Sequence, residues 1–157
     1  MKLSDFIAED SILVDLTATD RNGVLREIVQ SLADHGHLNQ DDVEPIVRSL
    51  IHRENQGSTG FGKGVAVPHV KHERCKGMVG TIARSSRGVD FAALDRAPVY
   101  TIVLLLSPQD EPDKHLEAME NLFRHLQKDT FRKFLRQSTT VEEIVDLIRE
   151  ADETPAR

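Results

Sequence analysis

Apolar residues recur along this chain with two different periods, and each change of period marks a new element. Ile12 to Leu16 (ILVDL) reads as a short strand. Asp20 then offers an N-cap to a helix over Val24 to Ala33, in which Val24, Leu25, Ile28, Val29 and Leu32 fall on one face. His35-Gly36-His37 ends it. A second helix starts at Asn39, with Asp41, Asp42 and Glu44 near its positive end and Val43, Ile46, Val47, Leu50 and Ile51 on its buried side. Pro45 is tolerated because it lies near the start, and Arg53 falls at the end of this helix or just beyond it.

The spacing then shortens. Val65-Ala66-Val67 and Met78 to Ala83 are extended runs, and Val99 to Leu106 (VYTIVLLL) is the continuous apolar segment expected of a central strand buried on both faces, bracketed by Pro98 and Pro108. From Asp113 the helical period returns, with Leu116, Met119, Leu122, Phe123 and Leu126 on one stripe. Two shorter helices follow, around Phe131 to Leu135 and Val141 to Ile148, the second capped by Thr139 or Thr140 with Glu142 and Glu143 in its first turn. Helices before, between and after strands predict an α/β fold, a sheet flanked by helices. No internal repeat or linker divides it, so residues 1–151 are expected to form one domain, with the tail ADETPAR frayed and residues 152–157 flexible.

Composition narrows the function. A chain of 157 residues is long enough for one domain with a proper core. A formal charge of -6 and 4% aromatic residues argue against a nucleic-acid surface, although an acidic chain can still hold one basic pocket. Cys75 is the only cysteine, which excludes an internal disulfide and a four-thiolate zinc site and fits a reducing compartment. The N-terminus carries acids where a signal peptide needs an apolar segment, and no stretch approaches the roughly 20 apolar residues of a membrane span. Cytoplasmic residence without membrane insertion is expected.

Chemistry concentrates between Arg53 and His72 (RENQGSTGFGKGVAVPHVKH). Gly57, Gly60, Gly62 and Gly64 let the backbone turn sharply and approach a bound group, and His69 follows a β-branched run and a proline. An imidazole largely unprotonated near neutral pH can attack an electrophile, although a lone histidine beside glycines is more often a hydrogen-bonded turn residue. His69, His72 and His115 could in principle make a metal site. Against that, Pro68 disfavours a helix here, and in an extended run positions 69 and 72 face opposite ways, so no metal is expected. Gly57 to Gly64 lacks the Gly-Lys-Ser/Thr ending of a nucleotide-binding loop. His35, His37, His52 and His125 read as helix-end or surface residues, and Cys75 in HERCK as an inert thiol.

Arg53-Glu54, Ser58-Thr59-Gly60 and Gly64-Val65-Ala66-Val67-Pro68-His69, followed in order by Gly88-Val89-Asp90-Phe91, Asp95, Pro98-Val99 and His115-Leu116, closely resemble the fructose/mannitol-type EIIA domains of the bacterial phosphoenolpyruvate-dependent sugar phosphotransferase system. The resemblance covers nearly the whole chain and is nearest to the freestanding nitrogen-regulatory type. It implies a mixed central sheet flanked by helices and a phosphotransferase that works through a phosphohistidine. His69 would be the phosphoacceptor nucleophile, His115 would assist, Arg53 would stabilise the phosphoryl group, and Thr59, Gly60 and Gly64 would line the phosphate pocket. The implied donor is the phosphohistidine carrier protein (HPr), and the acceptor an EIIB domain or a regulatory target protein. Because the donor is already a phosphohistidine, no cofactor is required. A transporter component of the fructose/mannitol type and a non-phosphorylated interaction module are the alternatives.

Plainer roles remain open beside these. Arg53 can cap the last carbonyls of its helix, His115 can be a solvent-facing first-turn residue, and Thr59 can close a turn. Two positions depart from the family pattern: Val70 stands where a small residue is usual, expected to narrow the pocket or fix the loop, and Arg96 stands where glycine is common.

Overall fold

The strand at Val99–Pro108 has nine of its ten residues buried, which is why the sequence there is apolar without alternation. In the computed structural model, which describes residues 1–153, it is the fifth and central strand of one mixed sheet. The strands are β1 (Gly60–Gly62), β2 (Val65–Ala66), β3 (His69–His72), β4 (Val79–Val89) and β5 (Val99–Pro108). β4 runs antiparallel along one side of β5. Along the other side β2 and then β3 pair with it in parallel, with Val65 opposite Thr101 and His69 opposite Leu105. β1 folds back antiparallel on β2.

Five α-helices among the described residues cover the sheet: α1 (Arg21–Asp34), α2 (Gln40–Gln56), α3 (Pro112–Leu126), α4 (Asp129–Gln137) and α5 (Val141–Glu153). Alternate residues of β5 serve two cores. Ile102, Leu104 and Leu106 pack with Leu25, Ile28, Ile46 and Leu50 of α1 and α2. Val103 and Leu105 pack with Leu122, Leu126, Leu135 and Ile148 of α3, α4 and α5.

Most local expectations hold. The Asp20 carboxylate accepts from the Gly23 amide, capping α1, and Gly36 takes a left-handed φ of 82° just after that helix. Asn39 is the N-cap of α2, and the Thr140 hydroxyl accepts from the Glu143 amide at the start of α5.

Four expectations change. Ile12 to Leu16 is an extended segment that touches β4 through one bridge, Leu13 to Ala83, and is no regular strand. Leu13 exchanges backbone bonds with Ile82 and Arg84, but the next bond to the Arg84 carbonyl comes from the Leu16 amide, so the ladder loses its register after one bridge; the Val14 carbonyl accepts from the Arg84 guanidinium. β4 runs on to Val89, past the expected end at Ala83: Arg84 still pairs with Thr101, the register then shifts across the polar stretch, and Val89 pairs again with Val99. Leu116 is 58% exposed and off the buried stripe of α3, which is made by His115, Ala118, Met119, Leu122, His125 and Leu126. Finally, α5 continues to Glu153, and the Asp152 carboxylate accepts from the Leu3 and Ser4 amides, so the expected tail is helical at its first two residues. Residues 154–157 of that tail lie outside the described residues.

Candidate active site

His69 opens β3, on the face of the sheet that α3 covers, while the next residue, Val70, packs into the opposite core. The valine therefore fixes the strand and does not line the site. Pro68 keeps a strand contact through its carbonyl, which accepts from the Leu105 amide at 3.0 Å. The His69 ring is half-buried, and its Nδ1 lies 2.7 Å from the Val67 carbonyl. A carbonyl only accepts, so Nδ1 carries the proton, and in the neutral ring the lone pair sits on Nε2. Burial lowers the pKa of this ring below the usual 6.5; the Val67 bond works the other way, the Arg53 charge lowers it further, the Glu54 charge raises it and the Lys71 charge lowers it. A ring that titrates below 6.5 is mostly neutral at pH 7.

His115, in the first turns of α3, faces it with 5.6 Å between ring centroids and a 38° tilt. This ring is 7% exposed, not the solvent-facing residue its helix position allowed. Burial, then the charges of His69 and Lys71, lower its pKa to about 4. Its Nδ1 lies 2.6 Å from the hydroxyl of Ser107, a fully buried residue of β5. Parallel pairing sets Ser107 opposite Lys71, two positions beyond the pair of His69 and Leu105.

Arg53 stands in the last turn of α2, and its Nη1 donates to the Gly57 carbonyl at 2.6 Å just past the helix end. The capping role is thus real, and it coexists with proximity to the site, since the guanidinium charge is felt at His69. Thr59 points elsewhere. Its hydroxyl and its amide both donate to the buried Glu54 carboxylate, the amide at 3.1 Å, while its carbonyl accepts from the Val67 amide. Thr59 and Glu54 therefore brace the segment that carries Val67 and His69.

Gly60 and Gly64 serve the backbone. A Cβ on Gly60 would meet the Ala93 Cβ at 2.9 Å, and Gly64 has a φ of 78° in the tight turn between β1 and β2. Gly57 is extended at φ 160° and needs no special freedom. Asp95 holds the Lys63 and Ala97 amides, which ties the glycine-rich segment to the loop before β5. Arg96 in that loop takes a φ of 61°, the conformation for which glycine is best suited.

Of the residues singled out from the sequence, His69 and His115 stand ring to ring and Arg53 lies close enough for its charge to act on His69. Sequence reading missed Ser107, Lys71, the brace provided by Glu54 and the Val67 carbonyl. Ser107 ends the apolar run of β5 at the carboxyl end of a parallel pair, a place where α/β sheets present ligand-contacting groups, and that was the available signal. Cys75 is buried and its thiol is pushed up to about 11 by that burial, which keeps it protonated at neutral pH. His72 accepts from the Arg74 amide within its own turn, and among the described residues no cluster of three or more His, Cys, Asp or Glu is gathered as metal ligands would be.

Comparison with known proteins bears on this arrangement. The family model "Phosphoenolpyruvate-dependent sugar phosphotransferase system, EIIA 2" matches residues 5–151. A nitrogen regulatory protein of Pseudomonas aeruginosa is 30% identical over 148 residues, spanning 94% of this chain and 95% of that protein. A fructose-specific EIIABC component of Bacillus subtilis is 29% identical over 152 residues, and there the chain spans 97% of its own length but 24% of the relative. Among solved structures, the nitrogen regulatory protein IIA-Ntr of Neisseria meningitidis superposes with a TM-score of 0.82 at 29% identity, covering 93% of this chain and 98% of that one.

Proposed function

The chain belongs to the EIIA 2 family of the phosphoenolpyruvate-dependent sugar phosphotransferase system, and on that premise we propose that His69 is a phosphoryl carrier charged by the phosphohistidine carrier protein. The observation that supports this most directly is the His69 ring itself: neutral, half-buried, proton held at Nδ1 by Val67, and Nε2 left with its lone pair.

In the transfer, Nε2 attacks the phosphorus as the P–N bond of the donor breaks, and the donor ring recovers its electron pair. No proton has to move. The charged ring then bears Nδ1–H and a phosphoryl group on Nε2, and its positive character is stabilised by the Val67 carbonyl. The phosphoryl brings nearly two negative charges. Arg53 supplies the compensating cation, Lys71 adds a second positive charge near both histidines, and His115 donates an N–H to a phosphoryl oxygen. Thr59, Gly60 and Gly64 shape the segment from which His69 projects. This reading needs no cofactor and no metal.

For the next step we favour the regulatory role, in which the phosphorylation state selects a target protein, because the nitrogen regulatory protein of Pseudomonas aeruginosa matches along nearly its whole length and that of Neisseria meningitidis superposes at high structural similarity. The alternative is a transport component that passes the group to an EIIB domain, motivated by the fructose-specific relative. Either role belongs to the cytoplasm, and among the described residues no helix is long and apolar enough to cross a membrane.

The test is incubation with phosphoenolpyruvate, Enzyme I and the carrier protein, read by intact mass. One acid-labile phosphoryl, absent in His69→Ala, is the expected result; no gain where a control EIIA is labelled would leave a pure interaction module. Onward transfer to a fructose-type EIIB, added in a second stage, would shift the balance to transport.

A further inference from the structure

Resting on the phosphocarrier reading, we infer that Ser107 is a positioning residue that fixes His115 as its Nε2–H tautomer and so makes that ring a neutral hydrogen-bond donor to the phosphoryl group on His69. The argument begins with the number of protons available. With its pKa near 4, the His115 ring carries a single N–H at neutral pH, and that proton sits on either Nδ1 or Nε2.

The partner at Nδ1 decides between them. Ser107 is fully buried, and among the described residues the hydrogen-bond partner of its hydroxyl is His115 Nδ1, at 2.6 Å. A hydroxyl brings one proton that needs an acceptor. If Nδ1 donated to Oγ, the hydroxyl proton would be stranded in the interior, and a buried donor left unpaired carries its full desolvation cost. If the hydroxyl donates to Nδ1, both groups are satisfied by the one bond. The ring proton is then on Nε2, across the ring from Ser107.

That choice matters because of what faces the ring. The His69 imidazole lies 5.6 Å away, and its free Nε2 is the atom that would carry the phosphoryl group. An unprotonated His115 Nε2 would set a lone pair against phosphoryl oxygens, whereas Nε2–H offers them a donor. Ser107 thereby turns a ring that could have been an acceptor into a donor, without adding a positive charge. The bond a histidine makes through one nitrogen governs what the other can do, and here that bond comes from the rigid central strand.

Long-range proton–nitrogen correlation spectra of the uniformly 15N-labelled full chain at pH 7 read the tautomer directly, with no phosphoryl donor present. The wild type is expected to show His115 protonated at Nε2, with Nδ1 bare and hydrogen-bonded. Ser107→Ala is expected to lose that single tautomer and to accept phosphoryl from the carrier protein on the order of tenfold more slowly, still on His69. Ser107→Thr, which keeps a hydroxyl, is expected to restore both. A wild-type ring protonated at Nδ1 would overturn the inference, even if neither variant folds. So would a Ser107→Ala protein with an unchanged tautomer and rate. Absence of labelling in the wild type would instead sink the phosphocarrier reading and with it the donor role, while the tautomer spectrum is judged by itself.

Discussion

His115 in the first turns of α3 and His125 in the last are 7% and 4% exposed, and burial lowers the pKa of both rings. Their surroundings differ in kind. His115 has a hydroxyl at Nδ1 and a second imidazole across from it, both supplied by parallel strands whose register fixes their positions. His125 lies against the Phe131 ring, 5.5 Å between centroids, where α4 packs back on α3. A depressed pKa on its own therefore marks burial; the polar partners on either side of the ring set the candidate site at His115 apart from the aromatic packing at His125.

Removing each ring is the sharpest way to break this contrast. His115→Ala should slow phosphoryl transfer to His69 by about 100-fold, the usual cost of losing one preorganised donor, while His125→Ala should stay within about twofold of wild type at a temperature where it is folded. Quench-flow labelling with the carrier protein in excess compares them, and equal losses would erase the distinction. Arg53→Ala comes next, with transfer expected to fall about tenfold, equivalent to about 1.4 kcal/mol of transition-state stabilisation. A normal rate in that variant would reduce Arg53 to a helix cap.

Acid should then act on both ends of α3 in the same direction. The folded protein binds the His115 proton only below about pH 4, whereas an unperturbed histidine binds it below 6.5. Acidification from 6.5 towards 4 therefore favours the unfolded chain, and above 6.5 this group has no effect on stability. Differential scanning calorimetry across that window should show Tm falling by several degrees, a loss on the order of 3 kcal/mol. A shallower slope is expected in His115→Gln, and an unchanged slope would show that the ring is not held neutral. The smallest effect is reserved for His125→Phe. Phenylalanine fills a similar space beside Phe131, so stability at pH 7 should change by less than about 1.5 kcal/mol, with transfer unaffected.

The same helix shows what the residue pattern could and could not convey. Its stripe was misplaced at Leu116 because histidines count as polar in a hydrophobic period, yet His115 and His125 lie on the buried face. The central strand, the capped start of α1 and the start of α2 at Asn39 were readable, since each depends on neighbours in sequence. Arg53, His69 and His115 were singled out through separated motifs. Ser107 was not, because a serine after eight strand residues looks like the end of an element, and only the parallel pairing with β3 reveals what it faces. Thr59 was assigned to the pocket, but its hydroxyl turns to Glu54, a carboxylate whose burial depends on the chain folding back over it.

The bond from Arg53 to the Gly57 carbonyl has a kinetic meaning. A free arginine side chain would have to be immobilised each time a phosphoryl group arrived, giving up as much as about 2 kcal/mol of rotational freedom. Tethered by one nitrogen, the guanidinium loses that freedom when the chain folds and keeps its remaining N–H groups for the visitor. On the phosphocarrier reading proposed above, the site waits with its cation already at rest, and both loading and unloading His69 would proceed without rebuilding it.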